Sequence, residues 1–346
     1  MSKWPPWRRT APAAPEPDPS SQAPPRAASI DDDADAPVRA QPKSSKPSER
    51  RNRLSALAQR LPPLLAPAHF ASGDRFELEA LCRAQAQALY LGDHVAVCRI
   101  LSRYKLLLDT RDRGFAAHVL LDGYWEMWLT IFVCRHLRAG MIVVDVGANF
   151  GYYTLLMADL VAANGHVFAV EPNPAVAGLL RQSVLLNGFA EQTSVIECAA
   201  GAHSAERVVL FSPMGEFKNA RIVDTPQPTE ANEGTFSKVS QKTIDEIVAD
   251  APRVDFLKID AEGAEELIIE GMDRCISLHK PSFVLEFNAA RCKHPDIMLR
   301  RLLAHYKTVS YLDFDSRLVP ITEAELIAQR RGQDWLLFFD HDTAVA

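Results

Sequence analysis

The sequence predicts an α/β fold in which short apolar strands alternate with amphipathic helices. Two observations carry this expectation. From Met141 to Thr154 the chain reads MIVVDVGANFGYYT, a buried strand that ends in a tight turn at Gly147, with helix-forming sequence resuming after Gly151. GHVFAV then supplies a second apolar strand that ends on Glu171, 20 positions after Gly151. A glycine turn at the carboxyl end of a central strand is where open α/β sheets take their ligands, because backbone can approach a ligand only where side chains are missing.

Composition narrows the function classes. The chain has 346 residues, 47% of them hydrophobic, enough for one large α/β domain with attachments. A formal net charge of -6 gives no electrostatic footprint for a phosphate backbone, so nucleic acid is not expected as a partner. Cys82, Cys98, Cys134, Cys198, Cys275 and Cys292 show neither CxxC pairing nor zinc spacing, and read as buried thiols in a reducing compartment. The N-terminus has no apolar core behind its positive charge, and no uncharged apolar run is long enough to span a bilayer. These features lead us to expect a soluble, cytoplasmic protein without stable membrane insertion.

In chain order, residues 1–69 are expected to form a disordered tail, with 11 of the 23 prolines in the first 50 positions and Trp4 and Trp7 as stray aromatics. Residues 70–140 are read as an N-terminal α/β cap packed on the main domain of 141–346. Within the cap, Phe76, Leu78, Leu81, Ala84, Ala88 and Leu91 predict a helix from Ser72 or Asp74 to Gly92. HVAVCRILSRYKLLLDT predicts one or two strands, RDRGFAAHVLLDG a connecting loop, and YWEMWLTIFVCRHLRAG a helix closed by Gly140. Tyr124, Trp125 and Glu126 are candidates to line the mouth of a site. After the opening strand come a helix over 154–163, the strand ending at Glu171, and a third strand ending in VIECAAG. RVVLFSP and TFSKVSQ could pair as a ribbon around a loop over the site, followed by a helix capped by Thr243. VDFLKID and PSFVLEFN are the fourth and fifth strands, with a helix over 298–305 and closing strands in KTVSYLD and DWLLFFD.

The turn chemistry argues against phosphates. A dinucleotide site needs G-x-G-x-x-G, whose second glycine admits the pyrophosphate, but Ala148, Asn149 and Phe150 follow Gly147. A phosphate loop needs Lys and Ser or Thr after its last glycine, where Tyr152 and Tyr153 stand. An acid at the end of the second strand still suits ribose hydroxyls. What remains is a ligand with adenosine and a charged amino-acid tail.

VVDVGANFGYYT, AVEPNP and FLKIDAEGAE, in that order, resemble the FkbM-type S-adenosylmethionine-dependent methyltransferases. The resemblance implies a Rossmann-like class I methyltransferase fold: a seven-stranded, mostly parallel sheet with helices on both faces and its last strand antiparallel. It also implies S-adenosyl-L-methionine as cofactor. Asp145, Gly147, Asn149 and Gly151 match the motif whose glycine loop holds the methionine part, Glu171 matches the ribose-binding acid, and Ala199 matches the adenine-edge segment.

Lys258, Asp260, Glu262 and Glu286 lie at or near strand ends and are the candidates for chemistry. Asp260 leads them as the base, or the group orienting the base, for a hydroxyl nucleophile. Glu262 is read at the start of a helical frame with Glu265, Glu266 and Glu270, where acids are favoured in any case. A divalent metal on the converging acids is the less favoured option, and His294 reads as structural. The function expected is methylation of a hydroxyl on a sugar, glycan or other small-molecule acceptor. The alternative is a catalytically inactive binding or scaffold protein of the same fold. A base N-methyltransferase is disfavoured because IDAEG lacks the prolines of its motif. No oligomeric state is read.

Overall fold

The computed structural model describes residues 64–223, 233–328 and 332–341. Most of the expected tail, including Trp4 and Trp7, lies outside the described residues, as does the middle of the loop between RVVLFSP and TFSKVSQ. Every described residue belongs to one compact unit, Leu61–Ala346.

The first segment forms α1 (Pro67–Ser72), α2 (Arg75–Gln85), β1 (Ala88–Gly92), β2 (Val95–Ile100), β3 (Tyr104–Asp109), α3 (Phe115–Asp122) and α4 (Met127–His136). Asp74 caps α2 as expected, accepting from the Phe76 and Glu77 amides at 2.9 and 3.1 Å. The helix does not reach Gly92. Gly92, Asp93 and His94 all take positive φ, and this turn folds Ala88–Gly92 back as an antiparallel partner of β2. The 111–123 connection is not a loop but contains α3. Asp112 accepts from the Ala116 amide at 2.9 Å, and Gly123 closes the helix at φ 72. α4 stops at His136 rather than at Gly140.

The main sheet has eight strands in the order β14-β13-β15-β12-β11-β4-β5-β6. They are β4 (Ile142–Val146), β5 (His166–Val170), β6 (Thr193–Ile196), β11 (Phe256–Ile259), β12 (Ser282–Phe287), β13 (Val309–Leu312), β14 (Leu318–Pro320) and β15 (Trp335–Phe339). The seven expected strands are all there, with β15 antiparallel to its neighbours and the short β14 added as a hairpin partner at the edge. All five residues of β4 are buried, consistent with its central position.

Alternate residues of the central strands feed two separate cores. Val143, Val167, Phe256 and Val284 pack on one face with α4, α5 (Tyr152–Val161) and α6 (Pro174–Leu186). Val144, Val146, Leu257 and Leu285 pack on the other with helices that include α7 (Ile244–Ile247), α8 (Glu265–Glu270), α9 (Asp273–His279) and α10 (Pro295–Leu303). The period-2 alternation therefore places Asp145 and its register neighbour Lys258 on the face that α5 covers.

The chain between β6 and α7 builds a second sheet, in the order β7-β10-β8-β9: β7 (Ala199–Ala200), β8 (Ala205–Pro213), β9 (Arg221–Val223) and β10 (Gly234–Lys242). RVVLFSP and TFSKVSQ pair antiparallel as expected. Ala199 does not end the third strand. That strand stops at Ile196, and Ala199 opens β7, which runs parallel to β10.

Candidate active site

One cleft opens at the carboxyl ends of β4, β5, β11 and β12. Gly147, Asn149, Glu171 and Ala199 line it; Asp145 and Gly151 do not. Gly147 holds φ 74, and a Cβ there would stand 1.8 Å from the Asp260 carbonyl oxygen. The glycine thus lets the β4 turn and the β11 turn touch backbone to backbone. Its amide and that of Ala148 both donate to the Val170 carbonyl at 3.0 Å. Asn149 sits at φ 50, a left-handed conformation that Asn tolerates better than most residues, and its Oδ1 accepts from the Phe150 amide. The Asn149 amide reaches Glu171 Oε2 at 2.9 Å, and the Asn173 amide reaches Oε1 at 2.8 Å. Burial pushes the Glu171 carboxyl up to about 7, against the pull of those two amides.

Asp145 is 1% exposed and lies behind the cleft wall. Thr154 donates to its Oδ2 at 2.6 Å, while its Oδ1 has no hydrogen-bond partner among the described residues. Lys258, at 3% exposure, donates to Asp260 Oδ2 at 2.8 Å and lies 5.1 Å from the centre of the Tyr153 ring. Burial works against the Lys258 charge, but Asp260 and Asp145 outweigh it and raise the pKa above the usual lysine value. The ammonium is therefore a fixed cation between the two turns.

Lys258, Asp260, Glu262 and Glu286 all line the cleft. Glu262 lies in a left-handed turn at φ 50, three residues before α8 begins at Glu265, so it is not part of the helical frame. That turn is held instead by Glu265, which accepts from the Ala261 and Gly263 amides at 2.9 Å. Arg291 donates to Glu262 at 2.8 Å and Glu286 at 3.4 Å, and pairs with Asp334. Burial and the Asp260 charge push Glu262 to about 7 and Glu286 to about 10. One carboxylate oxygen from each of Asp260, Glu262 and Glu286 lies within 4.8 Å of the others, a donor set that hard cations accept. Lys258 and Arg291 already supply positive charge to these acids. His294 lies apart from the cleft, its Nδ1 3.2 Å from Glu266.

The remaining lining comes from residues that the local sequence pattern does not single out. Phe115, Phe217, Lys218 and Arg221 face the cleft, with Trp125 and Glu126 from the expected mouth. The Lys218 ammonium lies 5.5 Å from the centre of the Trp125 ring. Tyr124 does not face the cleft; it is buried and accepts from Arg83 Nη2 at 2.9 Å. Glu126 turns its carboxylate to the Tyr153 hydroxyl, which donates to it at 3.2 Å. Burial first, and then the Asp260 charge, push Glu126 up to about 7.

Residues 145–307 match the family model described as the methyltransferase FkbM domain. A protein-L-isoaspartate O-methyltransferase of Hyperthermus butylicus is 36% identical over 67 residues, which cover 17% of this chain and 28% of that protein. Methyltransferase 1 of Beauveria bassiana is 25% identical over 146 residues, covering 38% of this chain and 58% of that protein. The chain thus spans about a quarter to under two thirds of these relatives. The crystal structure of the FkbM methyltransferase of Methylobacillus flagellatus superposes with a TM-score of 0.38 at 20% identity, covering 64% of this chain and 52% of that one. Among the described residues, no helix is long and apolar enough to cross a membrane.

Proposed function

We propose that the chain, whose residues 145–307 match the methyltransferase FkbM domain model, binds S-adenosyl-L-methionine and methylates a hydroxyl of a sugar, glycan or other small-molecule acceptor. The observation that carries this reading is a single cleft lined by Gly147, Glu171 and Asp260. Glu171 suits a ribose: an ionised carboxylate has about four lone-pair sites, and backbone amides occupy one on each oxygen. The methionine part would lie over the Gly147 turn, where no side chain intervenes. Ala199, from β7, would border the adenine.

When bound, the donor supplies a methyl carbon already activated on a sulfonium, so alignment can provide much of the rate. The chain's own residues have the acceptor to manage. Asp260 is oriented by Lys258 and can take the hydroxyl proton, with Glu262 and Glu286 beside it. The aromatic faces of Trp125 and Phe217 and the surrounding carboxylates offer the mixed lining that a polyhydroxylated ring requires.

Calorimetry with S-adenosylmethionine and its demethylated product tests the donor half of the proposal. Glu171→Ala should weaken donor binding by about 1–3 kcal/mol, because two amides and the ribose lose an acceptor. No binding of either compound to the natural chain would sink the methyltransferase reading. Transfer of labelled methyl from the donor to hydroxyl acceptors tests the other half, with Asp260→Asn expected to abolish transfer while donor binding persists.

A further inference from the structure

We propose that Glu126 makes the cleft selective for the positively charged methyl donor over its uncharged-sulfur product. This inference rests on the S-adenosylmethionine reading above. It begins with a backbone anomaly. Glu126 is the N-cap residue of α4, where a carboxylate would ordinarily bond the free amides of the first turn. It makes no such bond. Its backbone sits at φ 37 and ψ 66, a left-handed conformation unfavourable for a side chain of this size, and the carboxylate points instead to Tyr153 and the cleft. A strained backbone together with a forgone cap marks a residue held in place by its surroundings.

The charges around Glu126 explain what its position can do. On the β11 side, the Lys258 ammonium is bound to Asp260 and buried beside Asp145. On the β12 side, Arg291 is bound to Glu262, Glu286 and Asp334. From the second sheet's connection, Lys218 lies over Trp125. From α5, Tyr153 offers only a neutral hydroxyl. Among the described residues, no cation lies within ion-pair distance of Glu126. Lys258 and Lys218 act on the Glu126 carboxylate only through space, and burial first and then the Asp260 charge outweigh them and raise its pKa to about 7.

A donor anchored at Glu171 that passes over the Gly147 turn enters the part of the same cleft lined by Glu126 and Asp260. Donor and product share their ribose, ammonium and carboxylate. They differ at the sulfur, a cation in the donor and a neutral thioether in the product. Attraction to Glu126 is thus present before transfer and gone after it, which favours loading of the donor and release of the product.

Calorimetry at pH 7 with the full chain should give S-adenosylmethionine at least tenfold tighter binding than S-adenosylhomocysteine. Glu126→Gln should cut that ratio at least threefold, and product binding to the same variant reports that it is folded. Because Glu126 must be ionised to attract a cation, donor affinity should rise more than product affinity between pH 6 and pH 8. Glu171, raised to about 7 as well, meets the ribose common to both ligands and shifts both, Glu262 titrates in the same window, and Glu126→Gln should shrink the difference between donor and product. Equal binding of the two ligands to the natural chain, or a ratio unchanged by Glu126→Gln, overturns the inference and leaves the cofactor reading standing. Failure of both ligands to bind overturns the two together.

Discussion

The two ends of the cleft are built differently. The end proposed for the donor is held by backbone: the Gly147 and Ala148 amides on Val170, and the Asn149 and Asn173 amides on Glu171. All of these contacts fall within about 30 residues of chain. The end proposed for the acceptor is held by side-chain charge, with Lys258 on Asp260, Arg291 on Glu262 and Glu286, and Glu126 brought in from the segment before the sheet. A site held by local backbone bonds is set once its βαβ unit folds. One held by ion pairs between distant segments depends on the whole domain, and can change partners while the sheet stays the same.

The point where the two ends touch should be the most sensitive. Gly147→Ala would place a Cβ 1.8 Å from the Asp260 carbonyl oxygen at a residue with φ 74. The clash meets backbone on the far side and cannot be relieved by a rotamer change. We expect a loss of about 4 kcal/mol of stability, read from denaturant melts; a loss below about 1 kcal/mol would mean that the turns are not in contact. Next in size is Lys258→Met, which leaves Asp145 and Asp260 without their shared cation. Removing one partner of a buried pair costs about 3 kcal/mol. The double variant Lys258→Met with Asp145→Asn should recover part of this, since it removes a buried charge along with its counter-charge. No recovery would mean that Lys258 acts through Asp260 alone.

The same division explains what was legible in the sequence. Gly147 and Glu171 could be read because strand, turn and acid follow one another locally, and Asp145 was legible as a strand-end acid. Its burial behind the wall was not, because that depends on α5 supplying Thr154 and on β11 supplying Lys258. The central strands were legible as apolar runs. β1 was not, because Ala88 and Leu91 also continue the helical spacing of Phe76 to Ala84 and only the turn at Gly92–His94 decides between the two. α3 left a signal that could have been used: Ala116, Ala117 and Val119 are compatible with a helix, and Gly123 is a natural stop. Glu126 was legible as a candidate for the mouth, but its backbone was not: YWEMWLTIF reads as continuous helix, and nothing local announces that its third residue turns left-handed and meets the Tyr153 hydroxyl of α5, 27 positions on.

The smallest effect tests the donor end in the absence of ligand. Glu171 is 6% exposed, and its carboxyl is raised to about 7 mainly by burial. In the unfolded chain a glutamate titrates near about 4.3. Between pH 6 and pH 8 the unfolded state is already ionised, while the folded state must give up its proton. The unfolded state therefore gains relative to the folded one as pH rises: the contribution of Glu171 is fully present below about 4.3 and is lost as pH passes through 7. For this one group, stability should fall by about 1 kcal/mol from pH 6 to pH 8. Glu126 and Glu262 are raised in the same direction and add to the slope of the natural chain, so the difference between the natural chain and Glu171→Gln is the quantity to measure by urea melts at the two pH values. Ribose hydroxyls favour the ionised carboxylate, so saturating donor should flatten the slope of the natural chain more than that of the variant, in which only the attraction of Glu126 for the donor remains. A slope that Glu171→Gln does not change would show that the strand-end acid is already ionised in the free protein, and that its two amides outweigh its burial.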